Sequence, residues 1–239
     1  MTKIRNTNSS GKEILKGIVS RGIQVLGVLI FQGIILFPAA GKIDWIWAWI
    51  FMGIYTISII INSILLFQTN PETIAERGNP KEIKKWDAIV SGIWGLIQFV
   101  VIPLIAGLDF RFSWTKDFDV RWNIIGGLVF ALGLGIFGWA MITNAYFSTA
   151  VRIQEDRGQR VCRNGPYQFI RHPGYAGTFL QSIGIPILLR SVWAIIPGII
   201  AVICMTIRTY LEDATLQREL EGYQEYSREV RFRLVPGIW

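Results

Sequence analysis

Six apolar runs divide this chain, and they restrict its fold more than any other feature. They cover residues 23–37, 43–67, 88–108, 122–142, 175–189 and 192–207. An α-helix needs about 20 apolar residues to cross about 30 Å of hydrocarbon, and the first four runs reach that length once the first extends back toward Ile14. The last two runs are shorter and separated only by Arg190 and Ser191. They predict a tight helical hairpin that either spans the bilayer or only dips into it.

The composition favours lipid as the solvent around these runs. Of 239 residues, 51% are hydrophobic and 17% are charged, and the mean hydropathy is +0.40. A soluble domain carries about 25% charged residues. We therefore expect an all-α fold: a polytopic integral membrane helical bundle of about six apolar helices, the last two as a short hairpin, plus a cytosolic C-terminal helical lid.

The distribution of basic residues predicts the orientation of the bundle. If the spans alternate with the N-terminus inside, 19 of the 24 Lys and Arg residues fall in the inner segments. Those segments are residues 1–22, 68–87, 143–174 and 208–239. Cytoplasmic loops carry such an excess, so both termini are expected in the cytoplasm. The scattered basic residues form no stripe, which argues against a nucleic-acid partner.

The N-terminal segment is similar to a signal peptide, because basic residues and an apolar run precede Pro38-Ala39-Ala40. Since five more apolar runs follow, we expect it to stay as the first span. The two cysteines, Cys162 and Cys204, fall in a loop and in a span and suggest no disulfide. They also lack the spacing of zinc ligands, so no metal is expected.

Residues 133–138 match the GxGxxG pattern of dinucleotide-binding proteins, but they lie inside an apolar run rather than between a strand and a helix. We interpret the glycines as packing residues. Gly127, Ala131 and Gly135, spaced four apart, are expected to form a small-residue face for a neighbouring helix.

The charged segment 71–87 balances acidic against basic residues. The sequence predicts a solvated loop there.

The motif Arg-His-Pro-Gly-Tyr-Ala-Gly at 171–177 carries the chain's single histidine, where a long polar loop enters the hairpin. His172-Pro173 predicts a helix start, because proline is favoured in the first helical turn. Free N–H groups at such a start attract an anion. The rings of Tyr167 and Tyr175 are suited to a cation.

A second cluster, residues 208–213, stands where the hairpin ends. Arg208 and Glu212 are four residues apart and share a helix face. The segment that follows is amphipathic and is expected to fold over the loop as a lid. Two simpler interpretations stay open: His172 hydrogen-bonded to a loop carbonyl, and Arg208 with Glu212 as an ordinary intrahelical ion pair.

The last third of the chain resembles a known family through several motifs in order. They are G-P-Y-x-x-x-R-H-P-x-Y-x-G at 165–177, the acid pair at 212–213, Y-x-x-Y-x-x-x-V at 223–230 and R-L-x-P at 233–236. This pattern resembles the isoprenylcysteine carboxyl methyltransferase family, which is related to phospholipid N-methyltransferases. The first four runs match the family only in general hydropathy.

The resemblance implies S-adenosylmethionine as methyl donor, bound without a Rossmann domain. The cofactor contacts it implies are Gln159, Arg160, Val161, Cys162, Tyr167, His172, Pro173, Gly174, Tyr175 and Glu212. His172 and Arg208 are the implied catalytic residues, with Arg208 orienting an anionic acceptor. Arg152 replaces a residue that is usually glutamine, Asp213 replaces a usual glutamate, and the turn at 221–223 is one residue shorter than in typical members.

The function predicted is an integral membrane methyltransferase that acts on a lipophilic acceptor at the cytosolic membrane face. The acceptor is an isoprenylcysteine carboxylate or a lipid. Residues 1–150 are expected to form four transmembrane helices, and residues 151–239 the catalytic region. An NADPH-dependent oxidoreductase similar to sterol reductases is the alternative, and a non-enzymatic lipid-binding or transport protein is a third.

Overall fold

The computed structural model describes residues 7–78, 83–116 and 119–239, and within those ranges every regular element is a helix. The elements are α1 (Thr7–Ala40), α2 (Ile46–Thr69), α3 (Pro71–Gly78), α4 (Lys85–Leu96), a π-helical turn (Ile97–Val101), α5 (Ile102–Phe112), α6 (Val120–Thr143), 3-10 turns at Glu155–Arg157 and Gly165–Gln168, α7 (Pro173–Leu188), α8 (Ile195–Glu219) and α9 (Tyr223–Glu229). Of the inner basic residues, Lys3, Arg5 and Lys81 lie outside the described residues.

Within the described residues, five segments are long and apolar enough to cross a membrane. They are Ile14–Ala40, Ile46–Thr69, Lys85–Phe112, Val120–Thr143 and Ile195–Glu219. Their outer faces are rich in exposed apolar side chains, for example Ile57, Ile60 and Ile64 along α2. Such a surface is stable against lipid and not against water. The predicted integral membrane bundle is confirmed.

The closing hairpin crosses the bundle from one end to the other. Helix α7 has 16 residues and is therefore about 24 Å long, whereas α8 has 25 residues. In the turn between them, Ser191 Oγ donates to Asp109 Oδ2 at 2.6 Å. Asp109 lies in the last turn of α5, so the hairpin turn reaches the end of the span Lys85–Phe112. The expectation of two short helices is wrong for α8, which continues twelve residues beyond the apolar run that ends at 207.

Helix α6 packs along α7 more extensively than any other described pair of helices. Two α6 glycines allow this contact. A Cβ on Gly126 would lie 2.3 Å from Leu188 N, and a Cβ on Gly133 would lie 2.6 Å from Gly177 O. The GxGxxG segment is thus helical packing surface, as expected. The predicted face was wrong in detail, because Gly135 has open space around it and Gly127 makes only ordinary contacts.

The charged segment 71–87 is not a solvated loop. Residues 71–78 form α3, in which Glu76 and Arg77 are buried, and α4 begins at Lys85 with Asp87 fully buried. Residues 79–82 lie outside the described residues. The segment folds inward because Arg152 binds Glu76 and Arg208 binds Asp87, partners that are distant in sequence.

The end of the chain packs on the 144–172 loop. Helix α8 ends at Glu219, and Gly222, at φ +77°, turns the chain into α9. Tyr226 of α9 donates its hydroxyl hydrogen to Tyr167 O at 2.7 Å. The backbone N–H groups of Arg171 and His172 donate to Phe232 O and Arg233 O. The residues after α9 therefore fix the entry to α7.

Two glycines of the same motif provide a test of the α6–α7 contact. Gly133→Ala should lower the free energy of unfolding by about 1–3 kcal/mol, because its methyl group collides with the α7 backbone. Gly135→Ala is the matched control and should be neutral or stabilising, by up to about 1 kcal/mol, because alanine favours helix. Thermal unfolding of the detergent-solubilised proteins measures both. Equal behaviour of the two variants would contradict the packing described.

Candidate active site

A cavity opens where α6 ends and α7 begins, and the last turns of α8 and the start of α9 close its other side. It measures about 820 Å³ when the open solvent at its mouth is included. We call this end of the bundle the site end, and the end that carries the α7–α8 turn the turn end. Asn70 Nδ2, just beyond α2, binds Ile142 O of α6 at 3.2 Å, so these two spans also finish at the site end.

Most of the site residues predicted from the sequence surround this cavity. Those that line it are Gln159, Arg160, Val161, Cys162, Tyr167, His172, Gly174, Tyr175, Arg208 and Glu212. Pro173 occupies the first position of α7 and is not among the lining residues. Residues more than 50 positions apart in sequence thus come together, although their roles stay predictions.

The start of α7 was expected to carry several free backbone N–H groups, and most of them already have a hydrogen-bond partner. The N–H groups of Tyr175 and Ala176 already donate to His172 O. Proline has no N–H, so Gly174 N–H is the amide left without a backbone partner among the described residues. A Cβ on Gly174 would lie 2.8 Å from the Phe147 ring, which explains why glycine stands there. The helix start thus offers one amide and its partial positive charge to an anion.

Asp213 of α8 is the centre of the polar network below the cavity. It is fully buried, and five side chains bind its carboxylate: Arg171, His172, Gln217, Tyr223 and Arg233. The Arg171 contact is bidentate, at 2.8 and 3.0 Å, the strongest arrangement for such a pair. Arg171 Nη1 also donates to Val230 O and Arg231 O. One carboxylate therefore joins α8, the start of α7 and the chain after α9.

His172 is held by this network and not by a loop carbonyl. Its Nε2 lies 3.2 Å from Asp213 Oδ1 and 3.3 Å from the Tyr223 hydroxyl. Its ring lies nearly parallel to that of Tyr175, at 5.8 Å between centroids. The interpretation of His172 as a residue bound to a loop carbonyl is wrong, and the imidazole is oriented at the wall of the cavity.

Arg208 and Glu212 do not rely on each other. Arg208 makes a bidentate pair with Asp87 of α4, at 2.7 and 3.2 Å, and donates to Thr149 O at 2.9 Å. Glu212 accepts the hydroxyl hydrogen of Tyr175. Arg208 thus lines the cavity with its charge already balanced by Asp87, while the Glu212 carboxyl group is bound to the Tyr175 hydroxyl.

Two lining side chains stay uncharged. Burial raises the pKa of the half-buried Cys162 thiol, whose Sγ lies 3.7 Å from Thr143 O. Burial likewise raises the pKa of the Tyr167 hydroxyl, which donates to Ala140 O. Near neutral pH the thiol is therefore protonated and is a poor nucleophile.

Several residues at the cavity wall support the loop that carries it. Arg152, the predicted departure from glutamine, binds Glu76 of α3 and Asp156 of the loop. Gln159 Oε1 accepts the N–H of Gln154 at 2.6 Å. The resemblance implied a cofactor contact for Gln159, and the structure shows that Gln159 and Arg152 both hold the loop in shape.

The sequence did not indicate the roles of three residues that hold the site together. Asp87, Arg171 and Arg233 received no role there, yet each binds a buried partner at the site. Asp87 carried the clearest signal, since it is a carboxylate directly before an apolar run, where an unpaired charge is costly. No local pattern indicated its partner, because Arg208 is 121 residues away.

The second half of the chain is similar to a known family. Residues 126–218 match the sequence model of the isoprenylcysteine carboxyl methyltransferase (ICMT) family. Uncharacterized protein YpbQ of Bacillus subtilis is 24% identical over 163 residues, 66% of this chain and 95% of that protein. Protein-S-isoprenylcysteine O-methyltransferase of Homo sapiens is 23% identical over 180 residues, 70% of this chain and 61% of its own length. The chain thus matches less than two thirds of that human relative.

A solved structure described as the eukaryotic intramembrane Ras methyltransferase ICMT has a similar fold. Its TM-score is 0.54 at 19% sequence identity, and the match covers 91% of this chain and 75% of that one. The resemblance inferred from the motifs agrees with the family match over residues 126–218. The solved structure shows that the fold is similar as well. The NADPH-dependent alternative gains no support from these matches.

Removing the charge of Asp213 tests the network below the cavity. Asp213→Asn should lower the free energy of unfolding by roughly 3–5 kcal/mol, because Arg171 would stay buried without its counter-ion. The control is Glu219→Gln, which removes a half-exposed partner of Lys84 and should change stability little. Denaturation followed by near-ultraviolet circular dichroism measures the difference. A small effect of Asp213→Asn would show that the network is not structural.

Proposed function

We propose that this chain is a membrane methyltransferase similar to the isoprenylcysteine carboxyl methyltransferase family. It transfers a methyl group from S-adenosylmethionine to a lipophilic acceptor at the cytosolic membrane face. The acceptor class is an isoprenylcysteine-like carboxylate or a lipid. Residues 151–239 bind the methyl donor and include the span in α8, and residues 1–150 supply the other four spans.

One observation carries the proposal: the entrance and the exit of the α7–α8 hairpin face the same cavity. His172, Gly174 and Tyr175 come from the entrance, and Arg208 and Glu212 from the exit. A ligand that touches both sets is enclosed by protein on opposite sides, which positions it and removes water from it. These are the main contributions that an enzyme makes to a group transfer without a covalent intermediate.

The chemistry of the lining residues fits S-adenosylmethionine. The Gly174 N–H and the α7 helix end suit the carboxylate of the donor's amino-acid part. The Tyr167 and Tyr175 rings suit a positively charged sulfur, and Glu212 suits an ammonium group or ribose hydroxyls. Val161, Leu216 and Leu220 form an apolar wall for a flat heterocycle.

When bound, S-adenosylmethionine supplies an electrophilic methyl group on a sulfonium sulfur. The protein's share of the reaction is to orient the donor, to exclude water and to bring the acceptor atom in line with the carbon–sulfur bond. No side chain has to act as a nucleophile, which agrees with the protonated state of Cys162. An ionised carboxylate acceptor needs no general base.

The site end faces the cytoplasm in the proposed orientation. The loops at that end carry the basic excess, as cytoplasmic loops do. The apolar part of the acceptor enters from the bilayer between the spans, whose outer surfaces are apolar. Arg208 lines the cavity and is the residue that the resemblance implies for orienting the acceptor. Because Asp87 balances its charge, we expect Arg208 chiefly to fix the cavity wall and the Tyr175 ring, which lies 5.3 Å from its guanidinium.

Ligand binding and methyl transfer test the proposed function separately. Protein in neutral-lipid nanodiscs is titrated with S-adenosylhomocysteine and with NADPH, and saturable binding is expected for the first only. Isotope-labelled S-adenosylmethionine is then supplied with an S-farnesylated N-acetylcysteine or with a lipid extract. A labelled methyl ester, which releases methanol in alkali, identifies a carboxylate acceptor, whereas alkali-stable label identifies nitrogen or sulfur. Binding of NADPH alone would contradict the proposal.

Glu212 provides a variant-based test. Glu212→Gln keeps the size of the side chain but removes its charge, and should weaken S-adenosylhomocysteine binding by about tenfold, the effect of losing one hydrogen bond to a charged group. Glu229→Gln is the control, because Glu229 is an exposed partner of Arg163 outside the cavity. Isothermal titration gives both affinities. Unchanged binding by Glu212→Gln would remove Glu212 from the donor site.

A further inference from the structure

Arg77 of α3 is a buried cation that forms no ion pair with any carboxylate in the described part of the chain. It is only 8% exposed, and two aromatic rings cover it: its guanidinium carbon lies 5.7 Å from the Phe137 centroid and 5.2 Å from that of Phe147. Across residues 7–78, 83–116 and 119–239, no carboxylate lies within ion-pairing distance of it. Burying an unpaired charge is among the most costly arrangements in a folded protein.

Each neighbouring carboxylate in the described residues is bound to a residue other than Arg77. Glu76, the residue before Arg77, binds Arg152 instead. Asp87 binds Arg208, and Glu212 accepts from Tyr175. Among the described residues, none of these three carboxylates forms an ion pair with Arg77.

Arg77 also stands next to the cavity. The Phe147 ring, which it covers, is part of the cavity wall. The pKa of Arg77 is lowered to about 9, chiefly by burial and then by the positive charges of Arg21 and Arg208, while Tyr55 and Tyr175 act in the opposite direction. Two of these neighbours, Arg208 and Tyr175, line the cavity too. At neutral pH Arg77 is therefore positively charged, and an anion beside Phe147 would stabilise it.

We propose that Arg77 binds the carboxylate of the methyl acceptor, with Phe137 and Phe147 shielding the ion pair from water. This inference rests on the function proposed above and makes it narrower. It favours transfer to a carboxylate oxygen, because the positive field of Arg77 and Arg21 repels a protonated amine. Arg77 is then a specificity-determining residue contributed by the half of the chain that carries no family motif.

Binding measurements with two neutral-tailed probes test the role of Arg77 without depending on turnover. The probes are N-acetyl-S-farnesylcysteine and its carboxamide, which differ only in the charged group. They are titrated against the full chain in uncharged detergent with S-adenosylhomocysteine present. Wild-type protein should prefer the acid by about tenfold or more, as expected for a charge-assisted hydrogen bond.

Neutral variants should abolish this preference. Arg77→Met should bind acid and amide equally and keep its affinity for S-adenosylhomocysteine, and Arg77→Gln should do the same if the methionine variant does not fold. Arg77→Lys keeps the charge and should keep part of the preference. Arg111→Met is the matched control, because Arg111 also lies over a ring, that of Phe112, but at the turn end. It should behave as wild type.

The failure of this inference can be told apart from failure of the proposed function. If wild-type protein binds S-adenosylhomocysteine but does not distinguish acid from amide, the role of Arg77 is refuted and donor binding stands. Equal weakening of acid, amide and S-adenosylhomocysteine by Arg77→Met would mean that Arg77 is structural. Loss of the acid preference when phosphatidylglycerol is added would show that Arg77 binds a lipid phosphate instead, which also overturns the inference.

Discussion

Charge removed from water must be compensated within the protein, and this constraint governs the site end of the bundle. Three buried carboxylates carry most of the compensation: Glu76 with Arg152, Asp87 with Arg208, and Asp213 with Arg171 and Arg233. The partners are far apart in sequence: 76 positions for Glu76 and Arg152, 121 for Asp87 and Arg208, and 42 for Asp213 and Arg171. Each pair therefore ties together segments that helix packing alone would leave adjustable, and together they fix the walls of the cavity.

The same pairs explain how apolar helices build a polar site at their ends. The lipid-facing surfaces of the spans give no specificity, so the chemistry is concentrated where the helices end. The loop at 144–172, the first turn of α7 and the last turns of α8 supply an amide, aromatic rings and a carboxylate around one space. Arg77 differs from the other buried arginines because, among the described residues, its contacts are two aromatic rings and no carboxylate.

The sequence predicted the parts of the structure that follow from local or compositional rules. Hydropathy located the spans, and the proline at 173 located the start of α7. It failed where the answer depends on contacts across the chain. The segment 71–87 has the composition of a solvated loop, and only Arg152 and Arg208 make its burial possible. The glycine face of α6 was placed wrongly because the rotation of a helix that is apolar on all sides depends on its neighbours.

The hairpin is anchored at both ends, by Asp109 on Ser191 at the turn end and by Asp213 on Arg171 at the site end. The distance between these two polar anchors is set by the protein and not by the surrounding lipid. The length of the hairpin therefore stays the same in bilayers of different thickness. The lipids, or the helices that lack such anchors, adjust to the difference instead. The geometry of the cavity therefore depends little on the thickness of the surrounding membrane.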